Sequence, residues 1–304
     1  MSAIDHPSSF RSLWFHALGC AAQVRYQPGD DQWPEHLRNL MGALAWREAP
    51  AHAPPVSITV IRSMRAGYWR IQQRLEPGQR FVWLREDALL RDVEWRLYAT
   101  SAAESPAPLV VHAGAVARKG QALLLPGSSG AGKTTLTYAL AARGWQTLTD
   151  DVLALGAEPD DPASSLLALP CERCGHVSPR SLELLAEVGV ALEGPVAGLA
   201  GYYRPRIWAS AAPVCYVIAP QYQADAVGAV TLLTQAETAA LLMKASFAQR
   251  RVTYHQQWQA AVRVAAQTSG WRLTYGSLDD ALDIVDQLTA ARAETGETQA
   301  SGKE

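Results

Sequence analysis

The stretch LLLPGSSGAGKTTLTYALAARG, residues 123–144, limits the possible folds more than any other part of this 304-residue sequence. An apolar run stops at Pro126, three glycines follow within six residues, and Lys133, one of only four lysines, opens a helical pattern. Gly127, Ser128, Ser129, Gly130, Ala131, Gly132, Lys133 and Thr134 match G-x-x-x-x-G-K-[ST] at every fixed position, with Thr135 next in line. Glycines let successive backbone N–H groups turn inward around a phosphate, where a Cβ would obstruct them. The helix N-terminus adds a partial positive charge. Lys133 is the full charge that reaches the β- and γ-phosphates, and the Thr134 hydroxyl is placed to bind Mg²⁺. An apolar strand over 122–125 precedes the loop, and a helix over 134–142, which Gly144 can stop, follows it. This strand–loop–helix context predicts binding of a nucleoside triphosphate, ATP with Mg²⁺.

The remaining composition narrows the class. With 48% hydrophobic and 18% charged residues, a folded globular protein is expected. The formal charge is −2 and the arginines are scattered, which leaves no electrostatic footprint for nucleic acid. No apolar run is long enough for a membrane span, and residues 1–23 lack the basic flank and apolar core of a secretory signal, so a cytoplasmic protein is expected. Four cysteines make no disulfide framework in a chain of this length. Cys171 and Cys174 form one CxxC with His176 close behind. A closed zinc site needs four ligands and no second pair is in sight, so these are read as loop cysteines.

Residues 1–105 are expected to form a smaller α+β region without evident chemistry. Helices are predicted over 10–22 and 34–46, strands of a small antiparallel sheet over 56–62, 68–74 and 80–84, and a helix over 86–100. SAAESPAP, residues 101–108, is the first break, and a domain boundary is placed there, with a second domain over 106–290. Within it, LVVHAGAVARKGQALLLPG predicts two strands joined at Lys119 and Gly120. WQTLTDD predicts a strand, GAEPDDPASS a polar loop, LLALP a strand and 178–188 a helix. APVCYVIAP, apolar throughout, predicts a buried strand near the sheet centre. Thr234 and Glu237 at capping-box spacing predict a helix, and 255–269 a second one closed by Gly270. Strand WRLTYG and helix SLDDALDIVDQL, capped by Ser277 and Asp280, complete the pattern, and 291–304 are expected to be a disordered tail.

A phosphate cradle alone does not name a reaction. The acidic pair Asp150-Asp151 ends the strand after the loop helix, and in a βαβ unit that strand end approaches the phosphates. One carboxylate could hold Mg²⁺ while the other takes a proton from an attacking hydroxyl; a polar strand terminus is the alternative. No later apolar strand ends in an acid, no LSGGQ-like segment occurs, and an ABC-type ATPase is disfavoured.

His112 in VVHAGAV, the Gly127–Thr134 loop, Arg143-Gly144 and Asp150-Asp151 together resemble the catalytic domain of the HPr kinase/phosphorylase family and its relatives. The loop is also similar to that of phosphoenolpyruvate carboxykinase. The resemblance implies an α/β fold, a P-loop-containing mixed sheet of the HPr kinase/phosphoenolpyruvate carboxykinase type. It implies a serine-directed kinase in which Asp151 or Asp150 is the base, the other acid and Thr134 hold Mg²⁺, Lys133 meets the phosphates and His112 supports the reacting groups. Taken without the family pattern, His112 reads as a strand histidine. The family's glycine-rich signature after the acidic pair is missing; the comparable stretch is AGLAGYYRPRIW, whose Arg204 and Arg206 could clamp phosphate or a substrate acid. The expected partners are ATP and a protein or peptide substrate, with a homo-oligomer implied by the family. A small-molecule kinase and a nucleotide-gated binding or scaffold module are the competing functions.

Overall fold

The structure, a computed structural model, describes residues 10–29, 31–46, 52, 54–63, 67–73, 83–157, 165–196 and 199–300. Strict alternation shapes its first elements. Leu13, Phe15 and Ala17 point inward from Arg11–Ala17 (β1), and Ala22 and Val24 from Cys20–Tyr26 (β2). The two pair antiparallel around Leu18 and Gly19, both at positive φ. The helix expected over 10–22 is therefore two strands, because burial of every second residue suits a pleated ribbon and not a 3.6-residue period. Trp33–Met41 (α1) buries Trp33, Leu37, Leu40 and Met41 and ends at Gly42, whose φ of 53° breaks the helix expected to reach 46. Ala45–Trp46 (β3) instead pairs with β1.

Val56–Arg62 (β4), Trp69–Gln73 (β5) and Trp83–Leu84 (β6) complete a six-stranded sheet in the order β3-β1-β2-β4-β5-β6, in which β2 and β4 run parallel. Expected strand residues 74 and 80–82 lie outside the described residues. Glu86–Glu104 (α2) packs Leu89, Val93 and Leu97 against this sheet and runs through the break expected at 101, where Ser101 is fully buried. The same apolar cluster takes in Val110, Val152, Ala154, Cys171, Cys174, Leu199 and Tyr202 from beyond residue 105.

The second sheet is built on Leu109–Arg118 (β7). It pairs with Gln121–Pro126 (β8) through a two-residue turn in which Lys119 and Gly120 both have positive φ, the geometry such hairpins need. After the glycine loop come Lys133–Ala142 (α3), Gln146–Thr149 (β9), Val152–Gly156 (β10), Leu167–Leu169 (β11), Gly175–His176 (β12) and Pro179–Glu187 (α4). Tyr202–Tyr203 (β13), Ala212–Tyr222 (β14), Ala229–Leu233 (β15), Gln235–Lys244 (α5), Tyr254–Gln267 (α6), Ser269–Tyr275 (β16) and Leu278–Ala300 (α7) follow. The order β11-β10-β7-β8-β14-β16-β15, with β9 also on β7, makes a mixed α/β fold. The segment APVCYVIAP lies in β14, parallel to β8 on one side and to β16 on the other, a central position that accounts for its unbroken apolar run. β9 and β10 follow each other along one edge of β7, so the acidic pair falls at their junction.

Two further boundaries differ from expectation. α7 extends through residues expected to be tail, a run rich in helix-forming Ala, Glu and Gln. Residues 158–164 of the expected polar loop and 301–304 of the tail lie outside the described residues. Gly270 does not close a helix; it lies in β16, where α5 crosses it. Among the described residues no helix is long and apolar enough to cross a membrane. A Cβ on Gly270 would lie 2.2 Å from Thr238 Oγ1 and 3.3 Å from its Cβ and Cγ2. Gly270→Ala is expected to destabilise by about 1–3 kcal/mol in chemical denaturation. The loss should shrink in a Thr238→Ala background, and an unchanged loss there would refute this packing.

Candidate functional site

The loop after β8 is shaped by left-handed glycines: Gly130 has φ of 81° and Gly132 of 97°. A Cβ on Gly132 would meet the Tyr275 hydroxyl at 2.1 Å, so this position admits only glycine. Lys133 opens α3 and turns back into the loop, its Nζ donating to the carbonyls of Gly127 and Ser128, each at 2.9 Å. Burial lowers its pKa, and the charges of Asp151 and Asp150 oppose that shift.

Above the loop lies a cavity of about 430 Å³. Ser129, Gly130, Gly132, Lys133, Thr134 and Thr135 form its floor. One wall comes from the start of α4, with Ser178, Arg180 and Ser181, and Ser181 Oγ is 2.8 Å from Thr135 Oγ1. A second wall carries Tyr222 and Tyr275 from the carboxyl ends of β14 and β16, the usual ligand position in open α/β sheets. His112, Asp151 and His176 close the third side. Gly127, Ser128 and Ala131 do not line the cavity. The first two supply the carbonyls that hold Lys133, and the Ala131 carbonyl accepts from the Tyr222 N–H at 3.4 Å.

The structure separates the two acids. The pair lies on the bend between β9 and β10, where Asp151 lines the cavity while Asp150 is buried, 4% exposed, though both carboxylates reach Arg173 Nη2. Asp150 rests against Gly175, where an added Cβ would lie 2.5 Å from its Oδ2. Asp150, expected to hold a metal at the glycine loop, does not line this cavity. Asp151 has both oxygens engaged: His112 Nε2 lies 2.7 Å from Oδ1, and Arg173 Nη2 donates to Oδ2 at 2.9 Å.

Arg173 comes from the loop between β11 and β12, between the two cysteines, and is 6% exposed. Its Nη1 donates to Glu94 Oε1 at 2.5 Å, its Nη2 also lies 3.5 Å from Asp150 Oδ1, and its guanidinium covers the Tyr98 ring at 4.7 Å. The Tyr202 hydroxyl donates to the other Glu94 oxygen at 2.9 Å. Burial pushes the Asp150 carboxyl up to about 6 against the opposing charge of Arg173. Burial acts the same way on Asp151, but the His112 hydrogen bond and the Arg173 charge outweigh it and bring its pKa down.

Sequence reasoning missed Arg173, Glu94, Arg180, Ser181, Tyr222 and Tyr275, and noted His176 only beside the CxxC. The CxxC drew attention to its cysteines, which are buried free thiols, whereas the arginine between them is the residue that reaches the site. Among the described residues no group of three or more His, Cys, Asp or Glu is placed to hold a metal. Arg204 and Arg206 are not brought to the glycine loop. They line another cavity at the carboxyl end of α3, Arg204 donating to the Asn39 carbonyl and Arg206 pairing with Glu193.

The buried Asp150 fixes a pH dependence. Its folded-state pKa is raised, so the folded protein holds the proton more tightly than the unfolded chain between 3.8 and about 6. Stability from this group is full below that window and is lost as pH rises through it. Asp150→Asn lacks the titration. Across the window its unfolding free energy should gain on that of the unmodified protein by on the order of 2–3 kcal/mol. Parallel curves in urea titrations at each pH would contradict the assignment.

No family model matches the chain, and no curated protein matches it. Among solved structures, it is similar to the HPr(Ser) kinase/phosphatase from Coxiella burnetii, with 12% identity and a TM-score of 0.31 over 62% of this chain and 98% of that one.

Proposed function

We propose that the chain is an ATP-dependent phosphotransferase whose acceptor is a hydroxyl, the serine of a protein or peptide. One observation carries this reading: Asp151, the one carboxylate lining the cavity among the described residues, stands with His112 beside the loop that presents Lys133 and Thr134. The fit to a triphosphate rests on the glycines, whose left-handed backbone leaves the loop without obstructing side chains, and on the buried Lys133 ammonium. Lys133 now shares its protons with two neutral carbonyls; a phosphate oxygen makes a stronger, charge-assisted bond and takes their place.

In the transfer, the acceptor oxygen bonds to the γ-phosphorus while the Asp151 carboxylate takes the hydroxyl proton. The bond from that phosphorus to the β–γ bridging oxygen breaks, and its electron pair leaves with ADP. Lys133 and the loop N–H groups hold the charge that develops on the phosphoryl oxygens. His112 and Arg173 fix the direction of Asp151 and keep it ionised. A Mg²⁺ ion would be held by the Thr134 hydroxyl, phosphate oxygens and water, and would neutralise phosphate charge. Asp150 is too deeply buried to serve as its ligand, which leaves Asp151 free for the proton.

The test uses labelled ATP, Mg²⁺ and serine-bearing proteins or peptides. Lys133→Ala should weaken ATP binding about tenfold or more. Asp151→Asn should bind ATP normally and lose transfer by roughly 10²–10⁴. ATP binding with no transfer to any acceptor would refute the phosphotransferase and favour a nucleotide-gated module.

A further inference from the structure

A second cavity, of about 360 Å³, lies on the other side of the His112–Asp151 pair from the glycine loop. It shares His112, Asp151 and His176 with the first cavity, so the two meet along these side chains. Its outer wall is α2, which contributes Glu94, Trp95, Tyr98 and Ala99 from the region before residue 105. Phe247 closes the end, its ring 6.5 Å from that of His112 and its N–H bonded to the Val110 carbonyl. Trp95 stands at the mouth, 65% exposed.

The charges here select the occupant. Arg173 is the only Lys or Arg among the described lining residues, and its guanidinium is already taken up by Glu94, Asp151 and Asp150. The lining acids Glu94 and Asp151 are held by Arg173 and His112, so no unengaged Lys or Arg among the described lining residues remains for an anionic group. Trp95 and Phe247 present apolar surfaces whose ring faces carry partial negative charge, while the Tyr98 ring already meets the Arg173 guanidinium. Apolar and cationic groups suit such surfaces, and phosphate or carboxylate does not. The exposed Trp95 also argues against an enclosing small-molecule site, where most of the ligand surface would be covered. An aromatic anchor on an exposed helix face beside a narrow cavity suits an extended chain that inserts one side chain.

We propose that this second cavity is the acceptor site and that it takes a serine- or threonine-bearing peptide segment with uncharged or basic flanks, its hydroxyl directed at Asp151 and its backbone crossing Trp95. The chemistry at that hydroxyl rests on the phosphotransferase reading above, whereas binding does not. The N-terminal region thereby supplies the acceptor wall for a base that stands on the second sheet.

The test passes a synthetic library of serine-centred peptides, with acidic, neutral and basic flanks, over the full-length protein loaded with a non-hydrolysable ATP analogue and Mg²⁺. Retained peptides are identified by mass spectrometry. The same library is then offered with ATP. Neutral and basic peptides should be retained, and Trp95→Ala should weaken them about tenfold or more with ATP affinity unchanged. Retention of acidic peptides in preference, of no peptide, or of the same peptides equally by Trp95→Ala would overturn the proposal. Trp95-dependent retention without phosphate transfer would uphold the site and refute the phosphotransferase. Serine phosphorylation indifferent to Trp95→Ala would do the reverse.

Discussion

The buried guanidinium of Arg173 is the interaction on which the site depends. Placing that charge in the interior is costly, and only close, hydrogen-bonded partners offset the lost hydration. Here Glu94 on α2 and Asp151 at the junction of β9 and β10 hydrogen-bond it and Asp150 adds a charge at 3.5 Å, while the buried Nε of Arg173 has no hydrogen-bond partner among the described residues. Tyr202 fixes the far oxygen of Glu94, and Tyr98 lies flat beneath the guanidinium. Withdrawing one partner from such a cluster leaves a buried charge uncompensated, typically at 3–5 kcal/mol. The helix before residue 105 and the sheet bearing the glycine loop are therefore bound electrostatically as well as through their shared apolar cluster.

That cluster also gives two adjacent, chemically identical residues opposite characters. Asp150 sits in the interior, and burial raises its pKa to about 6. One residue later, at the edge of the cavity, the His112 hydrogen bond and the Arg173 charge keep Asp151 ionised. Environment, not residue type, separates a structural acid from a candidate base.

The strand–loop–helix around the glycines was readable because its signals are local: spacing, glycine content and the following helix all lie within two dozen residues. The β7–β8 hairpin, the central strand at APVCYVIAP and the capping box at Thr234 were readable for the same reason. Arg173 was not, since Glu94 is 79 residues away and Asp151 is 22, and no periodicity records a contact across such distances. Nor was the split between Asp150 and Asp151, which depends on what each carboxylate packs against. The strands at Arg11–Ala17 and Cys20–Tyr26, where a helix over 10–22 is expected, are marked instead by their alternation of buried residues. Trp95 gave no signal at all, because its place beside the second cavity comes from the fold and not from the helix that carries it.

Arginine at position 173 suits this arrangement in a way lysine would not. Its rigid fork sends Nη1 to Glu94 and Nη2 to both aspartates at once, whereas an ammonium is a single point charge on a flexible stem. The fork also limits what Asp151 gives up. A carboxylate offers about four lone-pair sites; His112 takes one on Oδ1 and Arg173 one on Oδ2, which leaves capacity on both oxygens. The side chain is 41% exposed, so that capacity faces open space where the two cavities meet. A group held rigidly from two sides and still able to accept a proton satisfies the orientation requirement of a general base without the mobility that would weaken it.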